Sequence, residues 1–463
     1  MIDALVVGLS YRALSVATVV TLPLVSVPLL PATAATAVTP VSVVFATLLV
    51  VGHTLLGARS LHLPRWLIIG GLVTAMAVVA SYLPVIVDLS AYGVDPSQAV
   101  SRALRAIATL LASGVYVAAF FVMVRSTHVG TERLIRIAMA AAAIHAVVAL
   151  LALATVIGVP GLSDVYRVLR EALTTSGANP IGGLRRVAAL SFEPSFAGFE
   201  YVGWWLPITV AMAFTVRMRW IGIGLTAVFG TAAAATFSLT AALGLAIVAS
   251  VAGTIHAGTL RGALRRAMFV FGAVVALSVL LVLPPVVSVL DRIGQQLPLI
   301  VSGEFAERGP RDPSLAVRGA LLHTGVDVAV AHPATGAGFG LAGYRFSEHR
   351  PAWTFVNPYM AEYVRYLEDP DGRVFPSAKN LYVRAWSEAG PLLVLTLLAL
   401  IVLAFRRSVA LVRRGPRDDA HRWLGLAAAL GIAGSAAAYL SLDSFAIPYL
   451  WAWLGIVAGM RYP

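Results

Sequence analysis

Long apolar runs recur through almost the whole chain and constrain its fold more than any other feature. A helix needs about 20 mostly apolar residues to cross a bilayer. Runs that meet or approach this length lie at 13–31, 40–58, 66–88, 105–125, 136–158, 194–215, 220–237, 239–257, 267–290, 389–405, 423–440 and 445–460. They predict an all-α polytopic membrane protein with about 12 transmembrane helices. The composition agrees, because only 12% of the residues are charged, whereas soluble domains carry about a quarter.

The arginines predict how the spans are oriented. Arg12, Arg65 and the arginine-rich stretch 406–422 fall on one side of the alternating spans, and the short connections 32–39 and 441–444 on the other carry none. Because basic residues favour the cytoplasmic side, both termini are expected in the cytoplasm. The net charge of +12 is therefore interpreted as membrane topology. No nucleic-acid-binding motif accompanies it, so we expect no nucleic-acid partner.

This topology divides the chain into five segments. An N-terminal five-span region covers 1–158, a first external loop 159–192, four central spans 193–290, a large external loop 291–388, and three C-terminal spans 389–463. The first loop contains VYRVLREAL, which is typical of a short amphipathic helix lying at the membrane interface. The large loop is rich in aromatic residues, which favours an ordered helical cap over a disordered tether.

Two carboxylates mark the start of the sixth span. Glu193 precedes Pro194 and Ser195, and a carboxylate just before a proline is an ordinary helix start. Glu200 lies seven residues later, on the same face of an α-helix and inside an apolar run. A charge there is costly unless it faces a cavity or an arginine. We interpret Glu200 as the floor of a polar site, with structural pairing as the alternative.

The large external loop carries further candidates near its two ends. Arg318 lies on a helix-like run, and GAGFG follows His332 and Pro333 without the Lys-Ser/Thr of a Walker loop, so the glycines predict a turn that allows close backbone approach. Lys379 and Asn380 shortly precede the tenth span, and Arg384 and Glu388 are one helical turn apart. Snorkelling of the cations and helix capping are their ordinary roles.

Cations converge on the predicted outer side, close to span ends. They are Arg185, Arg186, Arg318, Lys379 and Arg384. Guanidinium groups bind phosphate oxygens in a bidentate manner, so this cluster predicts a pyrophosphate held at the membrane surface. The chain has no cysteine and no Asp-x-Asp pair beside the cluster to hold a divalent metal. We therefore expect no metal and no cofactor.

The order of these pieces resembles the O-antigen polymerase and O-antigen ligase superfamily of bacterial envelope polysaccharide assembly. The matching pieces, which span about residues 180–460, are RRVAALSFEPSFAG, TFSLTAALGLAIV, RGALLHTGVDVAVAHPATGAGFG, KNLYVRAWSEAGPL and IPYLWAWLGIV. The resemblance implies a C-type glycosyltransferase fold in the bacterial cytoplasmic membrane, surrounded by its lipids, with an active site facing outward. It also implies metal-independent transfer of a polyprenyl-pyrophosphate-linked oligosaccharide to an acceptor glycan or lipid.

The resemblance implies roles for several residues. Arg318 and Arg185 or Arg186 would bind the pyrophosphate, and Glu193 would orient them or the acceptor; Glu200, Asn380 and Arg384 complete the expected binding residues. Ligases of the superfamily usually have a histidine where this chain has Lys379, which puts ligase chemistry in doubt. His323 and His332 are possible substitutes. We expect Glu193, Arg318, Lys379 and Glu388 to be the catalytic residues. Glu193, Glu200 and Glu388 are the candidates for the base.

The EPSF motif and the missing histidine favour a polymerase that joins repeat units with inversion at the anomeric carbon. The alternatives are an O-antigen ligase that transfers the glycan to a lipid or protein acceptor, and a secondary transporter or flippase. A transporter should show broken helices and charges in corresponding halves of the chain, whereas the charges here concentrate in two external loops.

Overall fold

A computed structural model describes residues 2–25, 40–55, 62–87, 95–174, 186–191, 193–214, 218–255, 313–368, 375–414 and 420–460. Throughout these ranges the ordered elements are helices, and no strand occurs in them. The all-α prediction is therefore confirmed for the described part of the chain. The predicted span 267–290 and the candidate Arg185 lie outside it.

The helices follow the chain in a simple order. They are α1 (Ile2–Thr21), α2 (Ser42–Leu55), α3 (Arg65–Val87), α4 (Pro96–Arg125), α5 (Gly130–Val156), α6 (Leu162–Leu173), α7 (Pro194–Glu200), a π-helical turn (Tyr201–Trp205), α8 (Leu206–Ala213), α9 (Arg219–Ala234), α10 (Leu239–Ile255), α11 (Pro313–Ala331), two short 3₁₀ turns (Ala342–Arg345 and Ala352–Phe355), α12 (Ala361–Glu368), α13 (Leu381–Arg414), α14 (Ala420–Ala438) and α15 (Tyr449–Gly459). The predicted boundary near Ser238 is confirmed, because α9 ends at Ala234 and α10 begins at Leu239.

Several helices are long and apolar enough to cross a membrane. Among the described residues these are α4, α5, α13 and the Arg65–Ile86 part of α3, while α2, α10 and α15 are apolar but shorter. Large apolar side chains along α3 are exposed at helical spacing, namely Ile69, Leu72, Met76, Val79 and Leu83. Such a stripe suits contact with lipid. The chain is a multi-pass membrane protein, and the total of about 12 spans stays a prediction.

The helices α14 and α15 form the centre of the molecule. Most of α14 and all of α15 are buried, and glycines let neighbouring backbones approach them. A Cβ atom on Gly434 would collide with the carbonyl group of Val202, and one on Gly455 would collide with that of Val117. Small residues are the usual means of close packing between membrane helices, because lipid supplies no hydrophobic drive for their association.

The tenth predicted span differs from its expected bounds. α13 runs from Leu381 to Arg414, so it begins before 389 and continues beyond 405. The helix is interrupted at Ala389 and Gly390, where Gly390 has φ of +77° and Pro391 follows. Proline disfavours helical backbone at the preceding residue and removes a hydrogen-bond donor. The piece 381–388, which the sequence placed in the external loop, is thus the helical first part of α13.

The amphipathic segment of the first loop is a helix, as predicted. α6 covers Leu162–Leu173, and Leu162, Val165 and Val168 are exposed along one side while Tyr166 is buried. Their spacing of three residues places the apolar side chains on one stripe. Its position at a membrane interface stays a prediction.

Candidate functional site

The connection between α14 and α15, residues 439–448, is the structural hub of the candidate site. It folds on itself, since the Tyr439 hydroxyl donates to the Ile447 carbonyl at 3.2 Å and Trp451 Nε1 donates to the Phe445 carbonyl at 2.8 Å. α4 also supports it, because Ser113 Oγ donates to the same Phe445 carbonyl at 2.7 Å. Side chains from distant parts of the sequence meet this 439–448 connection.

Arg318 and Glu193 meet at its edge. Arg318 Nη2 lies 4.0 Å from Glu193 Oε2, and Arg318 Nη1 donates to the Ser441 carbonyl at 3.5 Å. Both side chains face solvent in part, with 31% of Arg318 and 47% of Glu193 exposed. Glu193 also accepts from Ser195 Oγ at 3.1 Å. A guanidinium has five N–H donors, so these long contacts leave Arg318 able to bind an anion.

Arg384 and Glu388 form a second pair with the opposite character. Arg384 Nε donates to Glu388 Oε1 at 2.8 Å, and only 5% of each side chain is exposed. Arg384 Nη1 also donates to the Asp443 carbonyl at 2.9 Å. Glu388 Oε2 is buried without a hydrogen-bond partner among the described residues. The predicted one-turn spacing therefore produces a tight, buried ion pair.

Lys379 and Asn380 join α13 to the same connection. The Lys379 backbone, with φ of +53°, donates to Asp443 Oδ2 at 3.1 Å. Asn380 Oδ1 accepts from the backbone N–H groups of Tyr382 and Val383, and its Nδ2 donates to the Leu440 carbonyl. Asn380 is thus a helix N-cap of the usual kind, which is the capping role that its sequence position suggested.

Asp443 is a buried carboxylate that sequence reasoning missed. Burial would raise its pKa, but the charges of Lys379 and Arg384 and the hydrogen bonds from Ser377 and from the Lys379 backbone together lower the pKa of Asp443 below its usual value. The sequence held one signal, namely an isolated carboxylate in a short connection between two apolar spans. The pattern of arginines does not mark it, because the 441–444 connection has no basic residue.

The glycine-rich turn packs against the interruption in α13. Gly336, Gly338 and Gly340 all have positive φ angles, and the Ala337 backbone donates to the Ser387 carbonyl at 2.7 Å. A Cβ atom on Gly336 would lie 2.5 Å from the carbonyl carbon of Glu388. The prediction of a turn that permits close backbone approach is confirmed, and this turn braces the residue that pairs with Arg384.

Arg186 binds a neighbouring turn. Its Nε donates to the Thr236 carbonyl at 2.8 Å and its Nη2 to the Phe237 carbonyl at 3.0 Å. The following helix α10 contacts the 439–448 connection, because Thr240 Oγ1 and Ser441 Oγ share a hydrogen bond. Arg186 therefore holds the turn beside the hub.

Glu200 lies apart from the other candidates, in the interior. Its Oε1 accepts from Trp205 Nε1 at 2.8 Å and lies 3.7 Å from His145 Nδ1, and its Oε2 accepts from Ser191 Oγ at 3.4 Å. Only 1% of the residue is exposed. Glu193 occupies the N-cap position of α7 without a capping hydrogen bond from its side chain. The two carboxylates that α-helical spacing places on one face therefore have different surroundings.

The two histidines considered as substitutes have other partners. His323 Nδ1 lies 3.1 Å from Asp327 Oδ2 on the exposed side of α11. Burial, with the nearby charge of Arg345 as the next cause, lowers the pKa of His332. Within the described part of the chain, no group of three or more histidine, aspartate or glutamate residues could hold a metal ion.

The fold and these contacts define a multi-pass helical membrane protein in which Glu193, Arg318, Arg384 and Asp443 lie at one interhelical connection. Residues 224–398 match the model of a family described as O-antigen ligase. This part of the chain is similar to that family, which agrees with the resemblance noted in the sequence. The matched segment contains Arg318, Lys379 and Glu388, whereas Glu193 and Asp443 lie outside it. No curated protein matches the chain.

Proposed function

We propose that this protein is a membrane glycosyltransferase that polymerises polyprenyl-pyrophosphate-linked oligosaccharide repeat units at the outer face of the cytoplasmic membrane. One observation carries the proposal. Arg318, in the segment that matches the O-antigen ligase family, meets Glu193, from outside that segment, at a partly exposed position on the 439–448 connection. A cation and a carboxylate that reach solvent together are the groups that a glycosyl transfer needs.

Arg318 binds the pyrophosphate of the donor in this proposal. Among the described residues its guanidinium has long contacts with Glu193 and Ser441, and a fork of N–H donors matches phosphate oxygens. Arg185 and Arg186, which lead into the Glu193 segment, add positive charge. Donors placed where negative charge develops on the leaving group stabilise the transition state, so no metal ion is required in this scheme.

Glu193 is the base that we assign. The acceptor hydroxyl oxygen attacks the anomeric carbon as the bond from that carbon to the pyrophosphate oxygen breaks, which inverts the configuration. The hydroxyl proton passes to the Glu193 carboxylate, and the lipid pyrophosphate leaves with the bonding electron pair. The exposure of Glu193 supports this choice over Glu388, because the Glu388 carboxylate is buried against Arg384.

A ligase is the second candidate, and the description of the matched family favours it. Lys379 stands against it, because a lysine side chain is an ammonium group at neutral pH and has no lone pair to accept a proton. A ligase would transfer one preassembled glycan to a separate lipid or protein acceptor. The two reactions therefore give different products from the same donor.

The test is an in vitro reaction resolved by product size. The purified protein is incubated with lipid-pyrophosphate oligosaccharide, and wild type is compared with Arg318→Ala. Arg167→Ala is the matched control, because Arg167 is an exposed arginine that pairs only with neighbours on α6. A ladder of products in wild type and in the control, absent in Arg318→Ala, is expected. A single transfer to an added acceptor would establish a ligase, and no transfer would revive the transporter alternative.

A further inference from the structure

Glu200 lies deep in the helical core and takes no part in the proposed transfer reaction. Glu200 on α7, His145 on α5 and Trp205 in the π-helical turn form contacts across three helical elements. Among the described residues, Tyr201, Tyr166 and Tyr449 also lie close enough to Glu200 to interact with it electrostatically. No arginine or lysine of the described residues forms a salt bridge with it.

The π-helical turn builds this cluster. In a regular α-helix, side chains five residues apart point to different sides of the helix. Here the backbone N–H of Leu206 donates to the carbonyl of Tyr201, five residues earlier, and the wider turn brings Trp205 Nε1 within 2.8 Å of Glu200 Oε1. Turns of this type are rare and occur frequently at functional sites.

The hydrogen bonds fix the tautomer of His145. Its Nε2 lies 3.0 Å from the Val20 carbonyl oxygen, and a carbonyl can only accept, so Nε2 carries a proton. Nδ1 is then either a bare acceptor or the second N–H of an imidazolium. It lies 3.7 Å from Glu200 Oε1, which is well beyond the 2.7–2.9 Å of a charge-assisted hydrogen bond. This spacing favours a neutral imidazole beside a neutral carboxyl group.

Glu388 is a buried carboxyl group of the same molecule that does have a cationic partner. A guanidinium donates to it at 2.8 Å. Glu200 is also buried, and among the described residues its donors are an indole N–H at 2.8 Å and a serine hydroxyl at 3.4 Å. A desolvated carboxylate in a protein interior needs a cationic partner or hydrogen bonds that compensate its charge, and two neutral donors are too few for this.

We propose that Glu200 is a proton-binding site inside the helical core, where the side chain is an uncharged carboxylic acid at neutral pH beside a neutral His145. The site is linked to residues 186–191, which precede Glu193. Ser191 donates to Glu200 through its hydroxyl and accepts through its carbonyl from Arg170 Nη2. The Tyr166 hydroxyl holds the same segment by donating to the Ala189 carbonyl at 2.7 Å. Loss of the proton would place a negative charge next to Ser191, in the segment that leads to Glu193.

Infrared spectroscopy of the purified full-length protein tests this site without any glycan substrate, so the outcome is independent of the proposed transferase activity. The difference spectrum of wild type minus Glu200→Gln is expected to contain a protonated-carboxyl C=O band at neutral pH. Glu132→Gln is the matched control, because Glu132 is an exposed carboxylate on α5, and its difference spectrum should contain only carboxylate bands. A wild-type spectrum with only carboxylate bands lost in Glu200→Gln would overturn the proposal.

His145→Asn distinguishes the acid from an ion pair. If Glu200 holds the proton, the carboxyl band persists in His145→Asn, whereas a band that appears only in this variant would show an ion pair in wild type and refute the assignment. Should Glu200→Gln fail to fold, Glu200→Asp must shift the band, and an unshifted band would refute the assignment too.

We also expect the melting temperature of wild type to fall below that of Glu200→Gln at alkaline pH; a pH-independent difference would contradict this.

Discussion

Two arginine–glutamate pairs contact the 439–448 connection, and they differ in distance and burial. Arg384 and Glu388 are in direct contact at 2.8 Å and are almost fully buried. Arg318 and Glu193 are 4.0 Å apart, and both face solvent in part. Each arginine also donates to a carbonyl of the connection. The same two residue types thus occur once as a structural element and once as groups that a ligand can reach.

The difference shows that stability and ligand binding depend on different pairs, the buried pair for stability and the partly exposed pair for binding. Removing one member of a buried pair leaves a desolvated charge, which costs several kcal/mol, whereas an exposed pair contributes about 0–1 kcal/mol. The buried pair therefore fixes the start of α13 and the connection. The open pair remains available for a substrate, because little stability depends on it.

The largest expected effect follows from breaking the buried pair. Arg384→Ala or Glu388→Ala should each lower the free energy of unfolding by about 3–5 kcal/mol, because each leaves an unpaired buried charge. Thermal unfolding in detergent, followed by size-exclusion fluorescence, measures this loss. The double variant should lose clearly less than the sum of the single losses, and strict additivity would show that the two side chains do not form a pair.

Arg318 should show the reverse pattern, with a large loss of activity and little loss of stability. Arg318→Ala is expected to lower transfer about 10²–10³-fold, the typical cost of removing one donor to developing charge, while stability changes by no more than about 1 kcal/mol. Arg318→Lys should restore only part of the rate, because an ammonium group lacks the planar fork. Initial rates and melting curves on the same preparations check both claims. A stability loss as large as that of Arg384→Ala would remove the contrast.

The glycine turn beneath the buried pair predicts an intermediate effect. Gly336→Ala should destabilise the protein by about 1–3 kcal/mol more than Gly130→Ala, because the new Cβ overpacks a filled space. Both glycines have positive φ, but a Cβ on Gly130 meets nothing within 4 Å, whereas one on Gly336 meets the Glu388 backbone. The control therefore isolates packing from backbone strain. Equal losses of stability in the two variants would show that the turn does not brace α13.

The smallest effect concerns Asp443 and its dependence on pH. A carboxylate whose pKa is lowered in the folded state contributes stability above its unfolded pKa, and this contribution is lost as the pH falls through the folded pKa. The pKa of Asp443 is lowered, so its contribution to stability should be lost only in the acid range, below the usual aspartate pKa of about 3.9. Asp443→Asn should be about 1–2 kcal/mol less stable at neutral pH, with a flatter acid limb. Melting temperatures that fall with acid pH equally in wild type and in Asp443→Asn would contradict a stabilising role of the Asp443 carboxylate.

The local features were predictable from the sequence. The apolar runs predict helices because a backbone in lipid must satisfy its own hydrogen bonds, and helices do so within one segment. α6, the boundary between α9 and α10, the glycine turn and the cap at Asn380 all depend on neighbours within a few residues. For the same reason the i,i+4 pair of Arg384 and Glu388 could be recognised as one unit.

Contacts between distant residues were decided only by the tertiary structure. The spacing of Glu193 and Glu200 places them on one helical face. In the structure Glu193 lies at the N-cap position and contacts Arg318, whereas Glu200 lies next to the π-helical turn and contacts His145. Asp443 gains its importance from Lys379 and Arg384, which lie about 60 residues away along the chain. A sequence pattern gives the direction of a side chain along one helix, whereas its partner, burial and charge state depend on which other helices pack against it.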